Sequence, residues 1–405
     1  MRVRDSLRAP VVSLLSQGTG LVQLLLILGR AGTGQATDAY FYLFNLGLVP
    51  IFCIVVGMMY PSLLTDNKIS RSGLMRIRWA TSLLSVLFVV GGALWLSAYD
   101  RLASPLVGLA VVSTLNTLVQ SRLWFRAVAA EAGGNALWIA GIALPPNLLA
   151  AAVLLYPWNT PASAMTAMVS GLLVGNLGLL AFMARHDVGK MVLNAAPPNT
   201  GSPGGSFWFL SLASIEFLGQ TVLQSLAVLL PPSSITLLNV GYKIVGSVSA
   251  TFVNATMPSL VHQTTDSPRS ARRFLRVVVF VVGVGAITIV VGVRIVRPDL
   301  LVPTMVLAMW LIASAAAAVA ARMSFRFLAP HASTRTIGVV ITVVVLAVLS
   351  SRGAEFNLTV LLCGYAAMDG AAAMLLLWPL KDRLMSLVLA GTLAGLGAVW
   401  ASIYL

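Results

Sequence analysis

Apolar residues run almost without charge through thirteen stretches of the chain. They fall at about residues 10–29, 39–64, 79–98, 102–120, 136–156, 162–184, 207–230, 234–260, 274–293, 299–320, 336–350, 357–379 and 384–404. Windows of about 20 apolar residues cross a bilayer as α-helices, because lipid offers no partner for an unpaired backbone N–H or C=O. A membrane β-barrel would show short alternating segments instead. The pattern predicts an all-α polytopic membrane protein with about 13 transmembrane helices, of which the eleventh is the shortest.

The chain also repeats itself. Tyr60-Pro61-Ser62-Leu63-Leu64 closes the second span, and Met257-Pro258-Ser259-Leu260-Val261 closes the eighth, 197 residues on. The same shift lays Gln23 on Gln220 and Arg76 on Arg273. Two parallel six-helix repeats around a central cavity form a transporter layout. The domains expected are an N-terminal six-helix bundle over 1–184, a cytoplasmic linker over 185–206, a C-terminal six-helix bundle over 207–380, and an extra C-terminal helix over 381–405. The linker carries Pro197, Pro198 and Pro203 with several glycines and reads as flexible.

Composition agrees: 58% of residues are hydrophobic and 9% charged, where a soluble domain carries roughly 25% charged. The net charge of +14 raises the question of nucleic acid, but its placement answers it. With the N-terminus inside, inner loops hold 20 of the 26 basic residues, including Arg71, Arg76, Arg78, Arg122 and Arg126. That is the positive-inside bias of a plasma-membrane protein with a cytoplasmic N-terminus. Nucleic acid is not an expected partner.

Enzyme signatures are missing. There is no phosphate-cradling G-x-x-x-x-G-K-[ST]. The three histidines (His186, His262, His331) fall in loops without metal spacing, so neither a metal site nor a resident cofactor is expected. Cys53 and Cys363 lie in apolar spans and suit small buried hydrophobes. Gly171 with Gly175, and Gly391 with Gly395, form G-x-x-x-G pairs that allow close helix contact. Transport would draw on an ion gradient, the membrane potential or the substrate gradient.

Ionisable residues within spans are costly and mark candidate sites. Three occur: Glu216, Lys243 and Asp369. At 1.5 Å per residue they lie about 21, 13 and 18 Å from the outer ends of their spans. Lys243 either pairs with Glu216 or faces an anionic headgroup in a central cavity. Glu216 and Asp369 are candidates for coupling to a cation, Na⁺ or H⁺, with packing or capping as the alternative for Asp369. Span one carries Ser13, Ser16, Gln17, Gly20 and Gln23 at spacings of three or four, a polar stripe. Span seven answers with Ser214, Glu216, Gln220, Thr221 and Gln224. Gln17, Gln23, Gln220 and Gln224, with Asn45 of span two, are the candidate cavity lining; interhelical bonding is the competing role.

The join between the first two spans reads Gly32-Thr33-Gly34-Gln35-Ala36-Thr37-Asp38-Ala39-Tyr40-Phe41. It closely resembles the start of span two in lipid II flippases of the MurJ/MviN type, members of the multidrug/oligosaccharidyl-lipid/polysaccharide exporter superfamily. Pro61-Ser62-Leu63 and the run from Ile235 through Leu260 resemble that family too. The specific motifs cover about 30 residues, the layout most of the chain. The resemblance implies two six-helix bundles around a central cavity, alternating access, and a lipid-linked sugar moved outward. Thr37 and Asp38 belong to the motif, and in their position a helix N-cap is the local role. The family's cationic positions on spans one and two hold Gln17, Gln23 and Ile51 here, and Lys243 matches the family's basic residue of span eight only loosely. A pyrophosphate-linked lipid is costly to bury against so few cations.

The leading expectation is therefore a flippase for a lipid-linked saccharide, a peptidoglycan precursor or polysaccharide unit, in a bacterial plasma membrane. Its partners would be a polyprenyl-pyrophosphate-linked saccharide, membrane lipids and cell-envelope biosynthesis proteins. A cation-coupled small-molecule or multidrug exporter of the same superfamily, and a degenerate membrane scaffold, are the alternatives.

Overall fold

The computed structural model describes residues 8–64, 69–135, 137–190, 204–249, 268–296, 298–327, 335–353, 355–378 and 382–404. Thirteen helical elements follow one another and no strand occurs among the described residues. They are α1 (Arg8–Arg30), α2 (Gln35–Pro50, continued to Leu64), α3 (Arg71–Ala98), α4 (Val107–Ala132), α5 (Leu137–Gly141, resumed as Leu144–Leu154), α6 (Pro161–Arg185) and α7 (Gly204–Leu226). After them come α8 (Ser234–Ser249), α9 (Pro268–Val296), α10 (Leu301–Phe327), α11 (Arg335–Ser350), α12 (Leu358–Leu377) and α13 (Arg383–Tyr404). Among the described residues ten helices are long and apolar enough to cross a membrane, and Phe217–Leu229 and Thr336–Ser350 are shorter apolar helices. This is the all-α polytopic membrane protein the apolar pattern predicts. The Met257–Val261 half of the repeat, with the inner part of the eighth span, lies outside the described residues.

Helix starts follow local chemistry. The Ser70 hydroxyl accepts from Gly73 N–H at 3.1 Å and opens α3. Thr160 does the same for α6 through Ser163 N–H at 3.1 Å, with Pro161 in the first turn where no donor is needed. Asn357 caps α12 through Val360 N–H at 3.2 Å. Pro145 and Pro146 lack N–H donors, so the fifth span is not one helix but breaks at Ile142-Ala143 and restarts. Inside α2 the α-helix gives way to a π-helix over Ile51–Met59 before Tyr60–Leu64 resumes it.

The chain divides into two compact units, 1–237 and 238–405. Unit 1 holds α1 to α7 and the first residues of α8. Its core sets Ile51, Val55 and Met59 of α2 against Leu74 of α3 and Phe125 and Val128 of α4. α7 packs along α2: Phe217 stacks on Phe52 at 5.4 Å between centroids, with Val49, Cys53 and Ile54 buried beside it. Gly175 of α6 lies so close to α5 that an added Cβ would strike Pro146, and one at Gly171 would press on Val153 and Ala150. In unit 2, small residues let α10 and α12 approach. Ala316, Val319 and Ala320 meet Ala373, Leu376 and Leu377, with Leu275, Val279, Met385 and Leu389 closing the core. Of the second glycine pair, Gly395 faces Met309 while Gly391 faces open space. Asp382 is fully buried at the start of α13 and paired with Arg276 at 3.0 Å.

Candidate functional site

The join between α1 and α2 is built for one purpose, to present a carboxylate. Gly32 turns the chain at φ 72, a conformation glycine adopts without strain. Thr37 Oγ1 accepts from Gly34 N–H and donates to Gly34 C=O, each at 2.9 Å, which closes the first turn of α2. Asp38 is then left to serve another helix. Its Oδ2 accepts from Ser233 N–H at 2.7 Å, and its Oδ1 from Thr236 N–H at 2.7 Å and from the Thr236 hydroxyl at 2.6 Å. These donors sit at the start of α8, so Asp38 caps that helix from 195 residues away. The cap expected on α2 is thus Thr37's work, and the carboxylate's is on α8. Nearby, Arg101 donates to Leu230 C=O and Gln35 Nε2 to Asp100 C=O at 2.7 Å. Tyr42 and Ser225 share a hydrogen bond of 2.9 Å between α2 and α7. Ser233 itself is held at φ 84, unfavourable for a residue with a Cβ.

The α1 stripe separates into two environments. Gln17 is exposed, whereas Ser16 and Gln23 are buried. Gln23 is only 2% exposed, donates through Nε2 to Met168 Sδ at 3.6 Å, and hydrogen-bonds Tyr40. It joins α1 to α6 and α2 within unit 1, which is the interhelical role that competes with cavity lining. A polar side chain facing hydrocarbon gains more by turning toward neighbouring helices. Ile51 is fully buried in the core of unit 1. On α7, Gln224 is buried and Gln220 half-buried; Asn45 on α2 is half-buried as well. The Glu216 side chain lies outside the described residues.

A second stripe escapes the sequence reading although its spacing is on view. Ser113, Asn116, Thr117, Gln120 and Ser121 recur on α4 at intervals of three, one, three and one, one face of a helix. All are buried. Asn176 of α6 donates to Asn116 Oδ1 at 2.8 Å, and Ser82 of α3 bonds Ser121 at 2.7 Å. Ser85, Ser113 and Gln120 Oε1 are buried without a hydrogen-bond partner among the described residues.

In unit 2, Lys243 is half-buried on α8 and forms no ion pair among the described residues. Asp369 sits mid-way along α12 and accepts from Trp310 Nε1–H at 2.9 Å. Trp310 is 1% exposed and carries Tyr365 at 5.3 Å and Tyr242 at 6.1 Å between centroids. A carboxylate in an aromatic surround is the chemistry that holds a cation. Cys53 and Cys363 are free and buried. Among the described residues, no group of His, Cys, Asp and Glu has the geometry of a metal site.

No protein-family model and no curated protein matches the sequence. Solved structures do. The chain aligns with the lipid II flippase MurJ in its inward closed conformation at a TM-score of 0.67 and 10% identity, over 97% of this chain and 92% of that one. The fold is that of a MurJ-type flippase. A second solved chain, named only protein A, aligns at 0.57 with 11% identity over 94% and 95%. A MOP superfamily transporter from Pyrococcus furiosus aligns at 0.49 with 11% identity over 97% and 96%. On the MurJ-type fold, the Gly32–Phe41 motif forms the Asp38 cap, and Gln23 and Ile51 point into packed helix contacts.

Proposed function

We propose that this multi-pass membrane protein is a flippase that moves a lipid-linked saccharide across a bacterial plasma membrane by alternating access, with its N-terminus in the cytoplasm. The observation that carries the reading is the MurJ-type fold along 97% of the chain. The positive-inside bias supports the orientation. Lys243, without an ion pair among the described residues, is placed as the contact for the headgroup phosphate, with Gln17, Gln220, Gln224 and Asn45 bonding sugar or phosphate. With Gln23 and Ile51 packed away, the anion site is weaker than an arginine cluster, which favours a saccharide lipid of low charge or a wet cavity. Asp38, engaged by three donors at the start of α8, is assigned to capping and not to coupling.

Depletion of the protein in its host, followed by mass spectrometry of polyprenyl-linked lipids, tests this directly. Accumulation of one sugar-pyrophosphate lipid names the substrate. The Lys243→Ala protein should insert normally and lose flipping; retained flipping removes Lys243 from the mechanism. The Trp310–Asp369 pair favours a second reading, a cation-coupled exporter of small molecules with Asp369 or Glu216 as the coupling group. Export that stops when the Na⁺ or H⁺ gradient is dissipated, with no lipid accumulating on depletion, would establish that reading instead.

A further inference from the structure

α3 and α4 run antiparallel through a short turn, and one buried contact sets their register: Ser82 Oγ lies 2.7 Å from Ser121 Oγ. Arg78 stands one turn before Ser82, and Arg122 directly follows Ser121. The pin therefore brings two guanidiniums to the same place. Both sit over one ring, with Arg78 Cζ 5.7 Å and Arg122 Cζ 5.6 Å from the centroid of Trp79. Arg126, one turn further along α4, acts electrostatically on Arg78 together with Arg122. Arg126 Nη1 is buried and has no hydrogen-bond partner among the described residues. Among the described residues none of the three forms an ion pair, and Glu131 on the same helix takes the Tyr60 hydroxyl at 3.2 Å.

Three like charges held together, one with an unmet buried donor, oppose folding unless an anion answers them. The surroundings say which kind. Trp79 is 56% exposed and begins the stripe Trp79, Leu83, Leu87, Val90 and Leu94 that α3 turns outward. That stripe is a lipid-facing surface, and a tryptophan with arginines at its end marks the headgroup level. We infer that Arg78, Arg122 and Arg126, bracketed by Trp79, bind the phosphate of an anionic bilayer lipid. Guanidinium forks match phosphate oxygens, basic pockets between spanning helices hold anionic headgroups, and the exposed stripe lies along the acyl chain. The site lies within unit 1, uses none of the residues placed in transport, and stands whether or not the chain is a flippase.

Native mass spectrometry of the full chain in detergent, titrated with phosphatidylglycerol, cardiolipin or phosphatidylcholine, tests it. The wild-type protein should retain the two anionic lipids and not phosphatidylcholine. Each arginine contributes about fivefold to affinity, so Arg122→Gln should weaken binding about fivefold and Arg78→Gln/Arg122→Gln about 30-fold. Arg122→Lys should restore part of it, and unchanged melting in detergent alone would show that the variants fold. Should the double variant fail to fold, Arg122→Gln, on an exposed residue, carries the test. Equal anionic-lipid binding by the variants would overturn the proposal. So would competition by inorganic phosphate as strong as that by lipid, which would mean a free-anion site. Retention of undecaprenyl diphosphate but not of phosphatidylglycerol or cardiolipin would overturn it too, by assigning the arginines to substrate.

Discussion

At one end of unit 1 the Asp38 carboxylate receives three hydrogen bonds from the start of α8, while towards the other end of α3 Arg78 and Arg122 share the Trp79 ring, and neither they nor Arg126 forms an ion pair among the described residues. The first end is closed chemistry: donors and acceptors answer one another inside the protein. The second is open chemistry, complete only with something that is not protein. Charge in a membrane protein is thus a poor guide to function until its partners are known. A buried charge that is fully bonded is structure, and one that is not is an invitation to a ligand.

The contrast can be broken by removing each end in turn. Asp38→Ala strands two backbone donors at about 1–3 kcal/mol each, so thermal unfolding in detergent should show a loss of about 3–5 kcal/mol. Asp38→Asn keeps one acceptor and should lose about half as much; a silent Asp38→Ala would mean that α8 starts without a cap. Between the two ends lies the Asn116–Asn176 bond, where Asn176→Leu should cost about 1–2 kcal/mol in the same assay, as interhelical bonds in membranes do. Ser233→Gly relieves a positive φ that costs an L-residue about 1 kcal/mol, partly offset by glycine's freedom in the unfolded chain, and should stabilise by about 0.5 kcal/mol. Arg78→Gln/Arg122→Gln relieves like-charge repulsion and should change stability least, by a gain of under about 0.5 kcal/mol in neutral detergent. A large loss there would show that the arginine end is closed chemistry after all.

The sequence made the helices legible because hydrocarbon permits few alternatives: long apolar runs, caps at Ser70, Thr160 and Asn357, and prolines at 145 and 146 act over a few residues. Gly171 and Gly175 announced a close approach for the same reason. What stayed hidden depends on distance along the chain. Nothing near Asp38 says that its donors lie at Ser233 and Thr236, and nothing near Gln23 names Met168. Arg78 and Arg122 read as ordinary inner-loop charges, since their shared ring and the Ser82–Ser121 pin belong to two helices at once. The α4 stripe was readable by period alone. Period alone, however, does not separate a residue lining a cavity from one bonded to a neighbour, as the different settings of Gln17 and Gln23 show.

The π-helix at Ile51–Met59 has a consequence for how α2 tolerates changes in length. A π turn holds one residue more than an α turn. Losing a single residue between 51 and 59 can be absorbed by tightening that stretch into α-helix, so Tyr60 and Ser62 keep their facing. The same loss between 39 and 50 has no slack to draw on, and would swing everything from Ile51 onward by about 100° around the helix axis. The second span therefore has a rigid half, which holds Asp38 in place, and an adjustable half, in which evolution can edit length without moving the carboxylate.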